Sequence, residues 1–439
     1  LAAGVLLTGG AAARAEKPGN IFPYKTHVET LANGLKVILV PMSSKGLVAY
    51  WTVVRTGARD EYEAGHTGFA HFFEHMMFRG TEKYPQDKYG EITTKIGADD
   101  NAFTSDDLTA YHLSITSEDL EQVMDIESDR FQRLKYSDQQ FKTEAGAVYG
   151  EYRKNRTSPF FTIYEAIHKE AFDTHTYGHT AMGYVEDIQR MPEMYDYSLT
   201  FFNRYYRPEN CVLLITGDID PKKTMDLARK YYGDWKPGYV MPTVPVEPEQ
   251  TAEKRIDVAY EGKSLPIVWL AYKSPAFDPS NRDMVASVLL ADLAFGETSD
   301  LHKKLVLDEQ VCEFIEGEQN FNRDPTLFDI VARVKDPEKV DYVLAELERT
   351  VNEFQSKPVA GDRLADVKSR SKYGFLMGLE TPSAVAGAMA RFIALSGGIE
   401  VVDQMYAMYE QIGPQDIQKA AGLLTKNRRT VAVLRGGQS

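Results

Sequence analysis

Cysteine is almost absent from this 439-residue sequence: only Cys211 and Cys312 occur, far apart and each inside an apolar run. A fold stapled by disulfides is therefore not expected, and both thiols read as small core residues. Positive charge is in short supply too. Lys and Arg number 50 against 64 Asp and Glu, a formal net charge of −14, which argues against a nucleic-acid partner. Long apolar runs are missing; the one at Leu1–Ala13 is too short to cross a bilayer, so no stable membrane span is expected. The remaining composition, 43% hydrophobic and 26% charged, is that of a globular chain long enough for two or more full cores, not of a disordered or fibrous one.

Histidine is scarce as well, with 9 in all, yet two of them share the stretch Gly68-Phe-Ala-His71-Phe-Phe-Glu74-His75-Met-Met-Phe78. Wound as a helix at about 100° per residue, this stretch puts His71, Glu74, His75 and Phe78 on one narrow stripe and covers the rest with apolar side chains. A helix apolar nearly all round is buried. Ionisable groups on its one polar stripe persist only if paired or if they hold a metal. His71 and His75, four apart, can grip one ion while Glu74 borders the same spot. That is the layout of zinc-assisted hydrolysis, with Glu74 as the base acting on water. The plain alternative is two satisfied histidines that happen to share a helix with a glutamate.

Ala13-Arg14-Ala15 has the small-x-small form of a signal-peptidase site before Glu16. Residues 1–15 are read as the remnant of an export signal, and the expected address is the periplasm. From Tyr24 the pattern is of strands: Thr26–Leu31 and Leu35–Val40 flank the hairpin signal Asn33-Gly34, and Leu47–Arg55 is a third β-rich run. Residues 57–68 form a polar loop in which Thr67 is placed to cap the motif helix, and His66 there is read as solvated. After a helical piece at 88–97, Asn101-Ala102-Phe103-Thr104 leads into a strand at Leu108–Ile115. As an edge, it could pair with an extended peptide through its backbone.

Ser117–Leu134 and Ser137–Asn155 read as helices. The second carries Glu144 and Glu151, two turns apart on one face and about 10 Å apart along the axis, so one ion cannot be held by both. Two histidines leave a zinc site short of a third protein ligand, and a carboxylate commonly fills that place. One of the two acids is expected to ligate and the other to support a ligand or to face the substrate.

With these residues in view the chain resembles the inverzincin peptidases, the family of insulysin, pitrilysin and mitochondrial processing peptidase. The resemblance is carried by Gly68-x-x-His71-Phe-Phe-Glu74-His75-Met-x-Phe78-x-Gly80-Thr81, by Asn101-Ala-Phe-Thr104 and by Phe141-x-x-Glu144-x-x-x-Val148-x-x-Glu151. It continues through Tyr177-Gly178, Phe202-x-x-x-Tyr206-x-Pro208-x-Asn210 and Gly217-Asp218. It implies one Zn²⁺ per chain held by His71, His75 and Glu151, with Glu74 as catalytic base and Glu144 as the neighbouring acid. It also implies that Asn101, Ala102, Phe103 and Thr104 receive the substrate peptide. The histidines His168, His175 and His179 are thereby demoted to structural or solvated roles. Thr176 stands where the family often has proline, a small loop effect.

Residues 236–253, with Pro237, Pro242, Pro245 and Pro248, have the composition of an extended linker. Beyond it strands resume at Arg255–Tyr260 and Ile267–Lys273, followed by a helix at Ser280–Phe295. Glu186-Asp-Ile-Gln-Arg190 and the strand at Cys211 are echoed by Gln415-Asp-Ile-Gln-Lys419 and Thr430–Leu434. The expected fold is α+β, two homologous sandwich-like domains, each a mainly antiparallel sheet with helices packed on it. A catalytic domain spans 16–235 and a second domain without zinc ligands spans 254–439. Aligning Phe78-x-Gly80 with Ala294-Phe-Gly296 puts Ser287, Leu290 and Ala291 opposite His71, Glu74 and His75.

The resemblance implies half of a clamshell, closed by a second copy or by a homologous subunit. Some family members carry a substrate-gripping Arg and Tyr seven apart in the half opposite the zinc; no such pair occurs in the second half of this sequence, which favours a partner, in a homodimer or a heterodimer. The expected function is a zinc metallopeptidase that hydrolyses unfolded or extended peptides. The alternatives are a non-catalytic scaffold subunit, since fold does not fix function, and a processing peptidase dedicated to one peptide.

Overall fold

A computed structural model of the chain describes residues 20–436; the expected export-signal remnant lies outside them. The first half runs β1(His27–Thr30), β2(Lys36–Pro41), β3(Leu47–Val54), α1(Phe69–Met76), α2(Gln86–Lys95), β4(Asp99–Thr104), β5(Thr109–Thr116), α3(Leu120–Arg133), α4(Asp138–Asn155), α5(Pro159–Ala171), α6(Val185–Arg190), α7(Tyr195–Tyr205), β6(Cys211–Gly217) and α8(Pro221–Tyr232). Residues 236–253 contain neither helix nor strand. The second half runs β7(Lys254–Tyr260), β8(Ile267–Ser274), α9(Arg282–Phe295), the one-turn α10(Asp300–His302), β9(Cys312–Gln319), β10(Thr326–Val334), α11(Val340–Ser356), α12(Gly361–Met377), α13(Pro382–Ser396), α14(Glu400–Gln411), α15(Pro414–Ala421) and β11(Arg429–Gly436). Among the described residues no single helix is long and apolar enough to cross a membrane.

Each half builds one sheet. The first has the order β1-β2-β6-β3-β5-β4 and the second β7-β11-β8-β10-β9. Without β1 the two orders match strand for strand. β2 is parallel to β6 as β7 is to β11, and every other neighbour is antiparallel in both. The expected duplication is thus present in the topology. α9 follows β8 and packs on edge strand β9, just as α1 follows β3 and packs on edge strand β4. Ser287, Leu290 and Ala291 are all buried on α9, so this helix lines a core where α1 presents a polar stripe.

Both faces of each sheet are covered, and the cover is exchanged between halves. Side chains alternate across a strand, and Val37, Leu39, Tyr50 and Leu213 face α1, α3 and α4 on one side of the first sheet. On the other side Ile38, Val40, Trp51 and Leu214 meet Val385, Met389 and Ile393 of α13, a helix of the second half. Reciprocally, Ile163, Ile167 and Ala171 of α5 pack on Ile267, Ala271 and Leu434 of the second sheet. Neither sheet is covered by its own half of the sequence alone, so α13 is apolar because it is buried rather than because it meets lipid.

A buried ionic clasp reinforces the exchange. Arg323, on the turn after β9, reaches Asp60 Oδ2 at 2.9 Å and Asp107 Oδ1 at 3.0 Å. The next residue, Asp324, accepts from Arg59 and from His175 Nε2 at 3.0 Å, which holds its carboxyl far below the usual range. Asp60 and Asp107 are buried. Removing one partner of a buried pair leaves an uncompensated charge, at a cost of about 3–5 kcal/mol. Arg323→Ala is therefore expected to lower the thermal midpoint by several degrees in a calorimetric scan. An unchanged midpoint would show that apolar burial alone joins the halves.

Both cysteines are buried and free, as expected. The capping of α1 is not. Thr67 does not cap it: its hydroxyl donates to Asp187 Oδ2 at 2.7 Å. The helix starts at Gly68, whose N–H, with that of Ala70, donates to the carboxylate of Glu61 at 2.7 and 2.6 Å. A buried acid from upstream in the loop satisfies the orphan amides in place of a local cap.

Candidate metal centre

α1 is short, continuing past Met76 only as a 3₁₀ turn at Met77–Arg79. Its position is set by a tight backbone crossing at its N-terminus. Gly68 has φ +88°, and a Cβ there would lie 2.4 Å from the Met182 carbonyl oxygen; a Cβ at Gly183 would lie 2.5 Å from the Gly68 nitrogen. Only glycine fits at either place. Phe69, Phe72, Phe73 and Met76 are fully buried, which turns the His71, Glu74, His75 stripe toward α4 and β4.

α4 starts with a capping box formed by Ser137 and Gln140 and presents Glu144 and Glu151 to the two imidazoles. Glu151 Oε2 lies 3.6 Å from His71 Nε2 and 3.3 Å from His75 Nε2. One ligand atom from each of the three residues lies within 4.8 Å of the other two, and no other such group occurs among the described residues. Burial, and then the neighbouring His75, depress the His71 pKa to about 3. Nε2 of a neutral imidazole therefore stands opposite a carboxylate oxygen, and Nδ1 is buried with no hydrogen-bond partner among the described residues, an arrangement that a cation between Nε2 and the carboxylate satisfies. Two imidazole nitrogens and one carboxylate oxygen form a donor set suited to zinc.

Glu144 takes a different position. It is buried, and its Oε1 accepts from His75 Nδ1 at 2.9 Å while Arg79 pairs with its other oxygen. A proton on Nδ1 leaves the Nε2 lone pair of His75 free on the side of Glu151. Such a carboxylate–imidazole contact fixes tautomer and ring orientation in metal sites. Arg79 and Glu61 were not among the residues singled out by sequence. Neither belongs to a local pattern that would mark it.

Glu74 faces the end of β4. Thr104 Oγ1 donates to Glu74 Oε2 at 2.6 Å, and Oε1 has no hydrogen-bond partner among the described residues. Burial raises the Glu74 carboxyl above its ordinary pKa, partly offset by the Thr104 hydroxyl and His75. Among the described residues β4, which holds Asn101, Ala102, Phe103 and Thr104, pairs only with β5, so no described strand takes its outer edge beside this carboxylate. The residues expected to receive the peptide and the carboxylate expected to act as base are thus adjacent.

The other histidines lie apart from this group. His168 and His179 are buried with Nδ1 on the Tyr177 and Thr180 carbonyl oxygens, and His175 is buried in the clasp. They are structural rather than solvated. His66 is half-buried, its ring 4.0 Å from that of Tyr197.

Comparison with known proteins agrees with this geometry. The family model described as Insulinase (Peptidase family M16) matches residues 36–184, and that described as Peptidase M16 inactive domain matches residues 195–370. The zinc protease PqqE of Helicobacter pylori is 26% identical over 411 residues, covering 92% of this chain and 91% of that protein. The mitochondrial-processing peptidase subunit beta of Lentinula edodes is 24% identical over 425 residues, covering 92% and 88%. Subunit 1 of the bovine (Bos taurus) mitochondrial cytochrome b-c1 complex is 25% identical over 304 residues, covering 68% and 62%. A crystal structure of a protease from Helicobacter pylori superposes with a TM-score of 0.88 at 25% identity, covering 94% of this chain and 99% of that one.

Proposed function

Because the chain belongs to peptidase family M16, the insulinase family, we propose that it is a zinc metallopeptidase in which His71, His75 and Glu151 hold the ion and Glu74 is the catalytic base. The observation that carries this reading is the convergence of three ligand atoms next to the Glu74 carboxylate of α1, held above its usual pKa and facing the unpaired edge of β4. When bound, zinc supplies Lewis-acid polarisation of the scissile carbonyl and makes water acidic enough to be a nucleophile near neutral pH.

The chain's own residues do the rest. A peptide paired with the free edge of β4, along Asn101–Thr104, is held extended with its carbonyls in register beside Glu74. Glu74 Oε1 accepts a proton from the attacking water and delivers it to the leaving amine nitrogen, while Thr104 keeps Oε2 fixed. Glu144, ion-paired with Arg79, holds the His75 ring. Glu144→Gln should therefore weaken zinc binding by about 10- to 100-fold, read by competition with a chromophoric chelator. Unchanged affinity would remove Glu144 from this role.

Extended or unfolded peptides are the proposed substrates, enclosed between this chain and a second shell. That shell is a second copy or a homologous subunit, as the missing Arg and Tyr pair suggests. We take 16–235 as the catalytic domain, 236–253 as linker and 254–439 as the second domain, and export to the periplasm as the address. The test is peptide cleavage by the purified chain alone, read by mass spectrometry with zinc content measured on the same sample. Cleavage with one zinc per chain supports a self-sufficient peptidase. Zinc without cleavage points to a missing partner. Absence of zinc overturns the reading in favour of a scaffold, a duty compatible with the likeness to a subunit of the cytochrome b-c1 complex.

A further inference from the structure

Two loops of the first half lead into the metal centre, and one side chain of the second half holds both. The first is the 3₁₀ turn Ala58–Asp60 with the following Glu61, whose carboxylate takes the Gly68 and Ala70 amides at the start of α1. The second is the turn at 105–108 between β4 and β5, which follows directly on Thr104, the donor to Glu74. The two turns abut. Ala58 and Arg59 donate their N–H groups to the Ser105 and Asp106 carbonyl oxygens at 3.2 and 2.8 Å. A Cβ at Gly57 would stand 2.1 Å from the Ser105 carbonyl oxygen.

Arg323 spans this junction. Its Nη2 donates to Asp60 Oδ2 at 2.9 Å and its Nε to Asp107 Oδ1 at 3.0 Å, while its backbone N–H reaches Asp107 Oδ2 at 3.2 Å. Asn322 Nδ2 donates to the same Asp107 oxygen at 3.0 Å. The planar guanidinium thereby fixes the separation of two carboxylates. One belongs to the residue before Glu61, and the other lies on the turn that follows Thr104. Further bonds leave the first turn little freedom: Tyr205 donates to the Asp60 carbonyl oxygen at 2.6 Å and Thr176 to that of Arg59 at 2.7 Å. A displacement of Asp60 is therefore passed to Glu61 and on to Gly68 and Ala70, just ahead of His71. A displacement of Asp107 is passed to Thr104 and the Glu74 carboxylate.

Stability alone does not call for this arrangement. Two apolar interfaces already join the halves, and a buried ion pair is often no more stabilising than apolar packing of similar volume. A forked cation adds directed bonds of fixed geometry, which apolar packing does not supply. We propose that Arg323 is a positioning residue of the metal centre, through which the second half sets the gap between α1 and the end of β4. The proposal rests on the reading of His71, His75 and Glu151 as zinc ligands for the identity of the ion.

The test is made on the full chain with Arg323→Lys, which keeps the charge and loses the fork. Arg429→Lys is the control for lost stability, because Arg429 is a buried arginine whose partners are Glu253 and Glu348. Hydrogen exchange of the zinc-free chain, read by mass spectrometry, is expected to quicken about tenfold at Gly68–Met76 and at Asp99–Thr104 in the Arg323 variant and to stay at the parent rate there in the control. Zinc affinity, read by competition with a chromophoric chelator, should fall about tenfold in the Arg323 variant and stay within about threefold of the parent in the control. Asp60→Asn is a second, milder variant: it weakens the grip on the side of α1 and should quicken exchange at Gly68–Met76. Parent-like exchange at these segments in both variants overturns the proposal. So does exchange raised evenly over the whole chain, or an unchanged zinc affinity in Arg323→Lys. A parent chain that binds no zinc overturns the peptidase reading instead, and exchange in the zinc-free chain still decides the role of Arg323.

Discussion

Glu74→Gln is expected to lower peptide cleavage by about 10²- to 10⁴-fold, the usual contribution of a positioned base, without loss of zinc. The substitution keeps size and shape. The glutamine carbonyl oxygen can still accept from Thr104, whose hydroxyl lies 2.6 Å from the native carboxylate. Because burial already raises the Glu74 pKa, neutralising it should also stabilise the fold slightly. Only proton acceptance is lost, because an amide takes no proton near neutral pH. Cleavage within about threefold of the parent rate, a loss well below this range, would sink the assignment of Glu74 as base.

Glu151→Gln should fail in the opposite manner, by losing the metal. Glu151 is the one anionic donor among the three residues that converge, and its side chain, 37% exposed, is open enough for substitution without a packing penalty. With only His71 and His75 left, the ion is short of its third protein ligand. Zinc content by emission spectrometry should fall below one per chain, and activity should return only at high added zinc. Zinc should raise the unfolding temperature of the parent through mass action on the folded state and leave that of the variant unmoved. A Glu151→Gln chain that keeps its zinc would transfer the ligand role elsewhere. Together the two variants separate the proton carrier from the ligand.

Much of this centre is legible in the sequence. The His71, Glu74, His75 stripe follows from helical periodicity, and the face shared by Glu144 and Glu151 follows from a seven-residue spacing. The duty of each acid was not readable from spacing alone. It depends on how α4 lies across α1, which brings Glu151 to both Nε2 atoms and Glu144 to Nδ1 of His75 and to Arg79. The expectation for Thr67 failed for a related reason. A residue in the right place for a local cap was displaced by Glu61, buried under the helix start.

By itself the sequence determined what is local: which runs form strands and helices, which faces are apolar, and that one helix holds two imidazoles and a carboxylate on a buried stripe. It also pointed to the duplication, because strands and a helix resume after the linker and the Glu186–Arg190 motif is echoed at Gln415–Lys419. Tertiary structure alone decided what each apolar face meets. The exchange of α5 and α13 between sheets and the Arg323 clasp join residues more than a hundred positions apart. The physical reason is that periodicity encodes the direction in which a side chain is buried, whereas the partner it is buried against is set by the packing of the whole chain.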